Sequence, residues 1–119
     1  MALIPQEALP YFENVIYFPI LITVLENDLK LIQNGPFKLK GPYTKIIEEA
    51  LKAIRAESKQ TNIFLKRNDM KLIKGKNDGT FTEYTLIHGG YEEHRKYLNV
   101  RLRNRTEELI SVYFAMDGS

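Results

Sequence analysis

Hydrophobic positions recur along this chain first at helical spacing, then at strand spacing, then at helical spacing again. From Ile20 to Asn34, Thr23, Glu26, Asn27, Lys30 and Gln33 share one polar face, and Ile20, Leu21, Val24, Leu25, Leu29, Leu31 and Ile32 cover the rest. Pro19 suits the first position of that helix, and Gly35 with Pro36 stops it. Gly41 and Pro42 restart the chain into a second helix, Tyr43 to about Ser58. There Tyr43, Ile46, Ile47, Ala50, Leu51 and Ile54 form the apolar stripe, opposite Lys45, Glu48, Glu49, Lys52 and Arg55.

The period then changes. Asn62 to Lys66, Met70 to Lys74 and Thr80 to Ile87 are short, rich in Ile, Phe, Thr and Tyr, and separated by turn residues. Gly75 to Gly79 contains Lys76, Asn77 and Asp78, and marks a hairpin because Asn, Asp and Gly tolerate positive φ. A three-stranded antiparallel meander over 62–87 is expected, closed by Gly89 and Gly90. Tyr91 to Met116 then reads as a long terminal helix with a stripe of Leu98, Leu102, Leu109, Val112, Tyr113 and Met116. Tyr97, Val100, Ile110 and Phe114 lie off that stripe, which asks for cover on a second side from the N-terminal segment or from another copy of the chain.

The predicted fold is α+β in a single domain over 1–119: an irregular N-terminal arm over 1–18, a helical pair over 19–58, the meander over 62–87 and the terminal helix over 91–116. The arm is inferred from Pro5 and Pro10 among Tyr11, Phe12, Tyr17 and Phe18, with Asn14 to Phe18 a candidate short strand. A chain of 119 residues can bury a core without covalent staples. Hydrophobic residues at 44% and charged residues at 27% argue against disorder.

With no cysteine there is no disulfide scaffold, thiolate metal site or thiol nucleophile. The apolar run Val15 to Leu25 is short for a bilayer and is broken by Pro19 and Thr23. The first basic residue is Lys30, so no charge precedes the run as a signal peptide requires. Cytoplasmic residence without membrane contact is the expectation.

Net charge is +2, but it is unevenly spread. Residues 1–34 hold Glu7, Glu13, Glu26 and Asp28 against Lys30, whereas 59–76 hold Lys59, Lys66, Arg67, Lys71, Lys74 and Lys76 against Asp69. The basic hairpin, with Arg101 and Arg103 on the terminal helix, forms a candidate phosphate-contacting set of Lys66, Arg67, Lys71, Lys74, Lys76, Arg101 and Arg103. The competing reading is that lysines on exposed strands discourage edge-to-edge association. The link from Asn34 to Tyr43 is too long for a helix-turn-helix connection, which argues against a winged-helix regulator.

Asp28 falls within the apolar arc of the first helix and Arg105 within the stripe of the last. A buried unpaired charge costs several kcal/mol, so either the two meet as an internal ion pair that fixes how the helices dock or each finds a partner nearby; the functional alternative is an Arg105 left facing a cleft to bind an anion.

No residue cluster demands a reaction. The serines lie in no nucleophile elbow, there is no glycine-rich phosphate loop, and His88 and His94 flank Glu92 and Glu93 at spacings a helix start also favours. No catalytic residues, metal site or cofactor are assigned. If Asn14 to Phe18 is a strand, the element order resembles that of small ribonuclease toxins of the RelE and ParE kind, which implies activity from scattered Lys, Arg and Tyr. The expected function is a non-catalytic interaction or regulatory module whose partner is a protein or a second copy, docked through 91–116. Nucleic-acid binding is the alternative.

Overall fold

The computed structural model describes residues 4–116, and it is an α+β fold. A single 3-10 turn, Gln6–Ala8, leads into α1 (Leu9–Asn34), followed by α2 (Gly41–Arg67), β1 (Met70–Asn77), β2 (Phe81–His88), β3 (Tyr91–Leu98) and α3 (Asn99–Met116). The molecule is elongated, 58 × 32 × 19 Å.

The expected N-terminal arm is helix. The first three of its eighteen residues lie outside the described ones, but Leu9 onward, including Asn14 to Phe18, belongs to α1. Phe12 and Ile16 extend at four-residue steps the stripe that continues through Leu21 and Leu25, and all four are almost fully buried. That burial outweighs the cost of Pro19, which sits inside the helix on its exposed side, where a missing amide and a bend are tolerated. With no strand ahead of the helices, the toxin-like element order is lost. By length and apolarity the helical stretch Gln6–Asn34 is also sufficient to cross a membrane, so the run is not confined to Val15–Leu25 as its sequence suggests; in this fold a third of that stretch's most apolar window is buried.

The second helix runs to Arg67 and absorbs Asn62 to Lys66, which composition assigns to a strand. Its buried positions Ile47, Leu51, Ile54, Thr61 and Leu65, with Ser58 half-buried between them, alternate steps of three and four along one stripe. Period therefore prevails over the β propensity of Ile63 and Phe64. Asn68 ends the helix, its side-chain amide donating to the Phe64 carbonyl at 2.8 Å.

The meander is real but displaced by one strand. It has the order β1-β2-β3, antiparallel throughout. In the first hairpin Asp78 Oδ1 accepts from the amides of Thr80 (2.9 Å) and Phe81 (2.7 Å), and Gly79 adopts φ 93°. Gly89 and Gly90 do not end the sheet. They form a two-residue turn with φ 56° and 89°, the conformation a tight hairpin requires, and so create β3 from residues expected to be helical. The terminal helix is correspondingly 18 residues long. Asn99 fixes the corner between β3 and α3: its amide donates to the Thr80 carbonyl at 2.8 Å, and its side chain bonds Thr82 (2.6 Å) and Asn77 (3.0 Å).

Two hydrophobic clusters result. Ala8, Phe12, Ile16, Leu65, Met70, Tyr84, Leu86 and Leu102 fill the sheet end. Phe18, Leu21, Leu25, Ile47, Ala50, Leu51, Ile54 and Tyr113 fill the helical end. Between them Asn14 donates to Thr61 across α1 and α2 at 3.3 Å.

Candidate interaction surfaces

At the far end of the helical cluster, α1, α2 and α3 leave an apolar mouth of about 430 Å³, lined by Asp28, Leu31, Ile32, Phe37, Tyr43, Ile46, Ile47 and Phe114. Asp28, Leu31 and Ile32 share a face of α1 because they lie three and four residues apart. Tyr43, Ile46 and Ile47 come from the first turns of α2, and Phe114 from the last turn of α3. The tight connection over 35–40 is held by Lys40, whose ammonium donates to the Gln33 carbonyl at 2.8 Å. Gly35 is required there: a Cβ would lie 2.7 Å from the Leu31 carbonyl oxygen. The connection carries Phe37, its ring 5.7 Å from that of Tyr43.

The lining is more exposed than core residues should be. Leu31 is 62% exposed, Tyr43 52%, Phe37 44% and Ile46 40%, a contiguous apolar surface of the sort that marks interaction sites. The hydrophobic period places Tyr43 and Ile46 in the core stripe of the second helix, but in the fold they line the mouth. Half-buried Asp28 has no ion-pair partner among the described residues.

The expected Asp28–Arg105 pair is not formed. Arg105 is exposed on α3 and binds Glu108 at 3.1 Å, one turn on. It borders a different hollow with Glu13, Tyr17, Glu57 and Tyr113. In that hollow burial and a hydrogen bond to Glu57 push the Tyr113 hydroxyl far above the usual tyrosine range. Burial, with help from the Glu13 charge, raises Tyr17 as well.

The basic set is divided. Lys66 and Arg67 occupy the last turn of α2, where positive charge suits the helix dipole. Lys71 lies opposite Ile87 on the open face of the sheet. Lys74 lies opposite Tyr84 and meets Arg103 in a small groove with Ile20, Val24 and Thr106. Lys76 falls in the irregular stretch of β1 where the register shifts. Arg101 joins Arg95, Lys96, Tyr97, Tyr17 and Phe81 around a separate groove of about 500 Å³. Of the seven residues, Lys74 and Arg103 share a groove, Lys66 and Arg67 share a helix turn, and Arg101 lines a different groove.

The two histidines point to opposite faces of the sheet, His88 with buried Leu86 and His94 beside Thr85, whose hydroxyl lies 2.9 Å from Nδ1. Among the described residues no group of His, Asp or Glu is arranged to hold a metal ion. The sequence shows the mouth only in part. Phe114 stands off the helical stripe, and Phe37 and Leu39 lie between glycines and prolines where packing residues are unusual, but nothing in the sequence shows that these segments converge.

The model of the YhjD protein family matches residues 3–118. The chain is 33% identical over 113 residues, 94% of each sequence, to the uncharacterized protein YhjD of Bacillus subtilis (strain 168). No solved structure matches.

Proposed function

The chain belongs to the YhjD family, and we propose that it is a small, non-catalytic cytoplasmic interaction module that docks a protein partner through the apolar mouth at its helical end. The observation that carries this reading is Asp28, a carboxylate with no ion-pair partner among the described residues, set among Leu31, Ile32, Phe37, Ile46 and Phe114. A complementary partner is an amphipathic helix with one Lys or Arg on its apolar face, which neutralises Asp28 as the surrounding side chains lose water. Desolvating a carboxylate without such a cation is unfavourable, so the same residue discriminates against purely apolar segments.

The test places a photo-crosslinking phenylalanine analogue at Tyr43 in the native host, with Lys52 as a control position on the outer face of α2. A discrete adduct from position 43, absent from position 52 and lost on Asp28→Lys, is the expected result. Equal labelling from both positions overturns the reading.

Nucleic-acid binding retains the support of one grouping, Arg95, Lys96 and Arg101 beside Tyr97 and Phe81, which could hold phosphates next to stacking rings. Binding to mixed single-stranded RNA at low salt, falling steeply as salt rises and weakened by Arg101→Ala, is its expected signature. No binding even at low salt removes it.

A further inference from the structure

The sheet has two edges, and they are built differently. On β1 the pairing with β2 is irregular between Lys74 and Asn77, and Lys71, Lys74 and Lys76 crowd the strand with positive charge. A bulge and lysines are the usual means of keeping an exposed edge from pairing. On β3 the bulge is absent and the charges are balanced rather than of one sign. All eight residues pair with β2 in one unbroken register, there is no proline, and Glu92 and Glu93 balance Arg95 and Lys96. The outer side of β3 is thus a regular row of backbone donors and acceptors at the margin of the sheet.

The order of charges on this strand is antisymmetric about one residue: Tyr91, Glu92, Glu93, His94, Arg95, Lys96, Tyr97. We propose that β3 pairs antiparallel with β3 of a second copy of this chain, about a two-fold axis through His94, joining the two sheets into one of six strands. That register places Glu92 opposite Lys96, Glu93 opposite Arg95 and Tyr91 opposite Tyr97, in both directions across the axis. The faces also agree. Glu93 and Arg95 lie on the side of buried Leu86 and Tyr84, and Glu92 and Lys96 on the side of Ile87 and Glu83, so an axis perpendicular to the sheet brings like face to like face.

Other registers are penalised. A slip of one residue mixes the two faces. A slip of two centres the axis on Glu93 or on Arg95 and sets identical charges directly opposite, and parallel pairing sets every charge against its own kind. At present Arg95 is paired with Glu93 of its own strand, and Glu92 lies 3.8 Å from His94. Pairing would give each carboxylate a cation from the partner as well. This interface is separate from the helical mouth, so it stands or falls independently of the function proposed above.

The chain contains no cysteine, which makes the test direct. Residues facing each other across an antiparallel ladder have Cα atoms roughly 4.5 to 5.5 Å apart, within the span of a disulfide. His94→Cys is therefore expected to form a covalent dimer under mild oxidation, whereas Lys52→Cys on α2 is not. In sedimentation equilibrium the wild type is expected at twice its chain mass of 13.9 kDa. Glu92→Lys with Glu93→Arg should give a monomer. Adding Arg95→Glu and Lys96→Glu, which inverts the whole pattern, should restore the dimer, with far-ultraviolet circular dichroism showing that each variant is folded. A wild type that is monomeric at its highest soluble concentration overturns the proposal. So does a dimer that survives the double reversal, or one in which His94→Cys cross-links no faster than Lys52→Cys.

Discussion

The two ends of this molecule solve the same burial problem and leave different remainders. At the helical end, three helices enclose Leu21, Leu25 and Ile54, and what stays uncovered is a surplus of apolar side chains around Asp28. At the sheet end, α1, α2 and α3 cover one face of a narrow sheet over Leu86 and Tyr84, and what stays uncovered includes the backbone of its edge strands. A helix satisfies its main chain internally and can only expose side chains, whereas a strand at the margin of a sheet exposes hydrogen-bonding groups whatever its side chains are. The lesson is that secondary structure at each end decides what kind of contact is left to make.

That comparison can be pressed hardest in the cores. Leu86→Ala and Ile54→Ala each remove a fully buried side chain, one from each cluster, and should cost about 2 to 5 kcal/mol. Because α1 and α2 pass through both clusters, urea unfolding of either variant should still show a single transition. Two transitions would mean that the ends fold as separate units.

A smaller effect is expected at Tyr113, whose buried hydroxyl shares a hollow with the Glu57 carboxylate at the helical end. Tyr113→Phe should lower stability by about 1 kcal/mol. Tyr113 keeps its proton in the fold at pH values where the unfolded chain has lost it. Its contribution is therefore complete below about pH 10, the ordinary tyrosine value, and declines as pH rises beyond it. Thermal melts across the alkaline range should accordingly lose stability less steeply in Tyr113→Phe than in the wild type.

At the sheet end, Gly90→Ala puts a side chain at φ 89° in the turn between β2 and β3 and should cost on the order of 1 kcal/mol by the same melts. The smallest effect is expected at the mouth. Leu31 is largely exposed, and Leu31→Ser should change stability by less than about 0.5 kcal/mol. A larger loss would show that the mouth is part of the core.

The helical end was also the more legible in sequence. The break at Gly35 and Pro36 and the restart at Gly41 and Pro42 stand where the pattern puts them, and Leu21, Leu25, Ile47, Ala50, Leu51 and Ile54 of the expected stripes are buried, while Leu31, Tyr43 and Ile46 turn out exposed at the mouth. The sheet end misled for specific reasons. Pro10 and Pro19 suggested an arm, yet Pro10 lies in the first turn of α1 and Pro19 faces solvent, positions a helix accepts. Ile63 and Phe64 have strand propensity but belong to a helix whose stripe runs on to Leu65. The polar run Glu92 to Lys96 looks like a helix start, and only the Gly89–Gly90 pair signalled that the chain reverses into another strand. Asp28 and Arg105 both read as charges inside an apolar pattern, and the structure leaves Asp28 half-buried at the mouth and Arg105 exposed beside Glu108. Pairing them failed because a residue's place on its own helix says nothing about which way another helix presents its face.

Pro19 has a mechanical consequence. It follows Phe18 of the helical cluster and stands three residues after Ile16 of the sheet cluster, so the one missing rung in the hydrogen-bond ladder of α1 coincides with the seam between the two cores. A beam with a single notch flexes at the notch, and a load applied at one tip turns the other tip through that point.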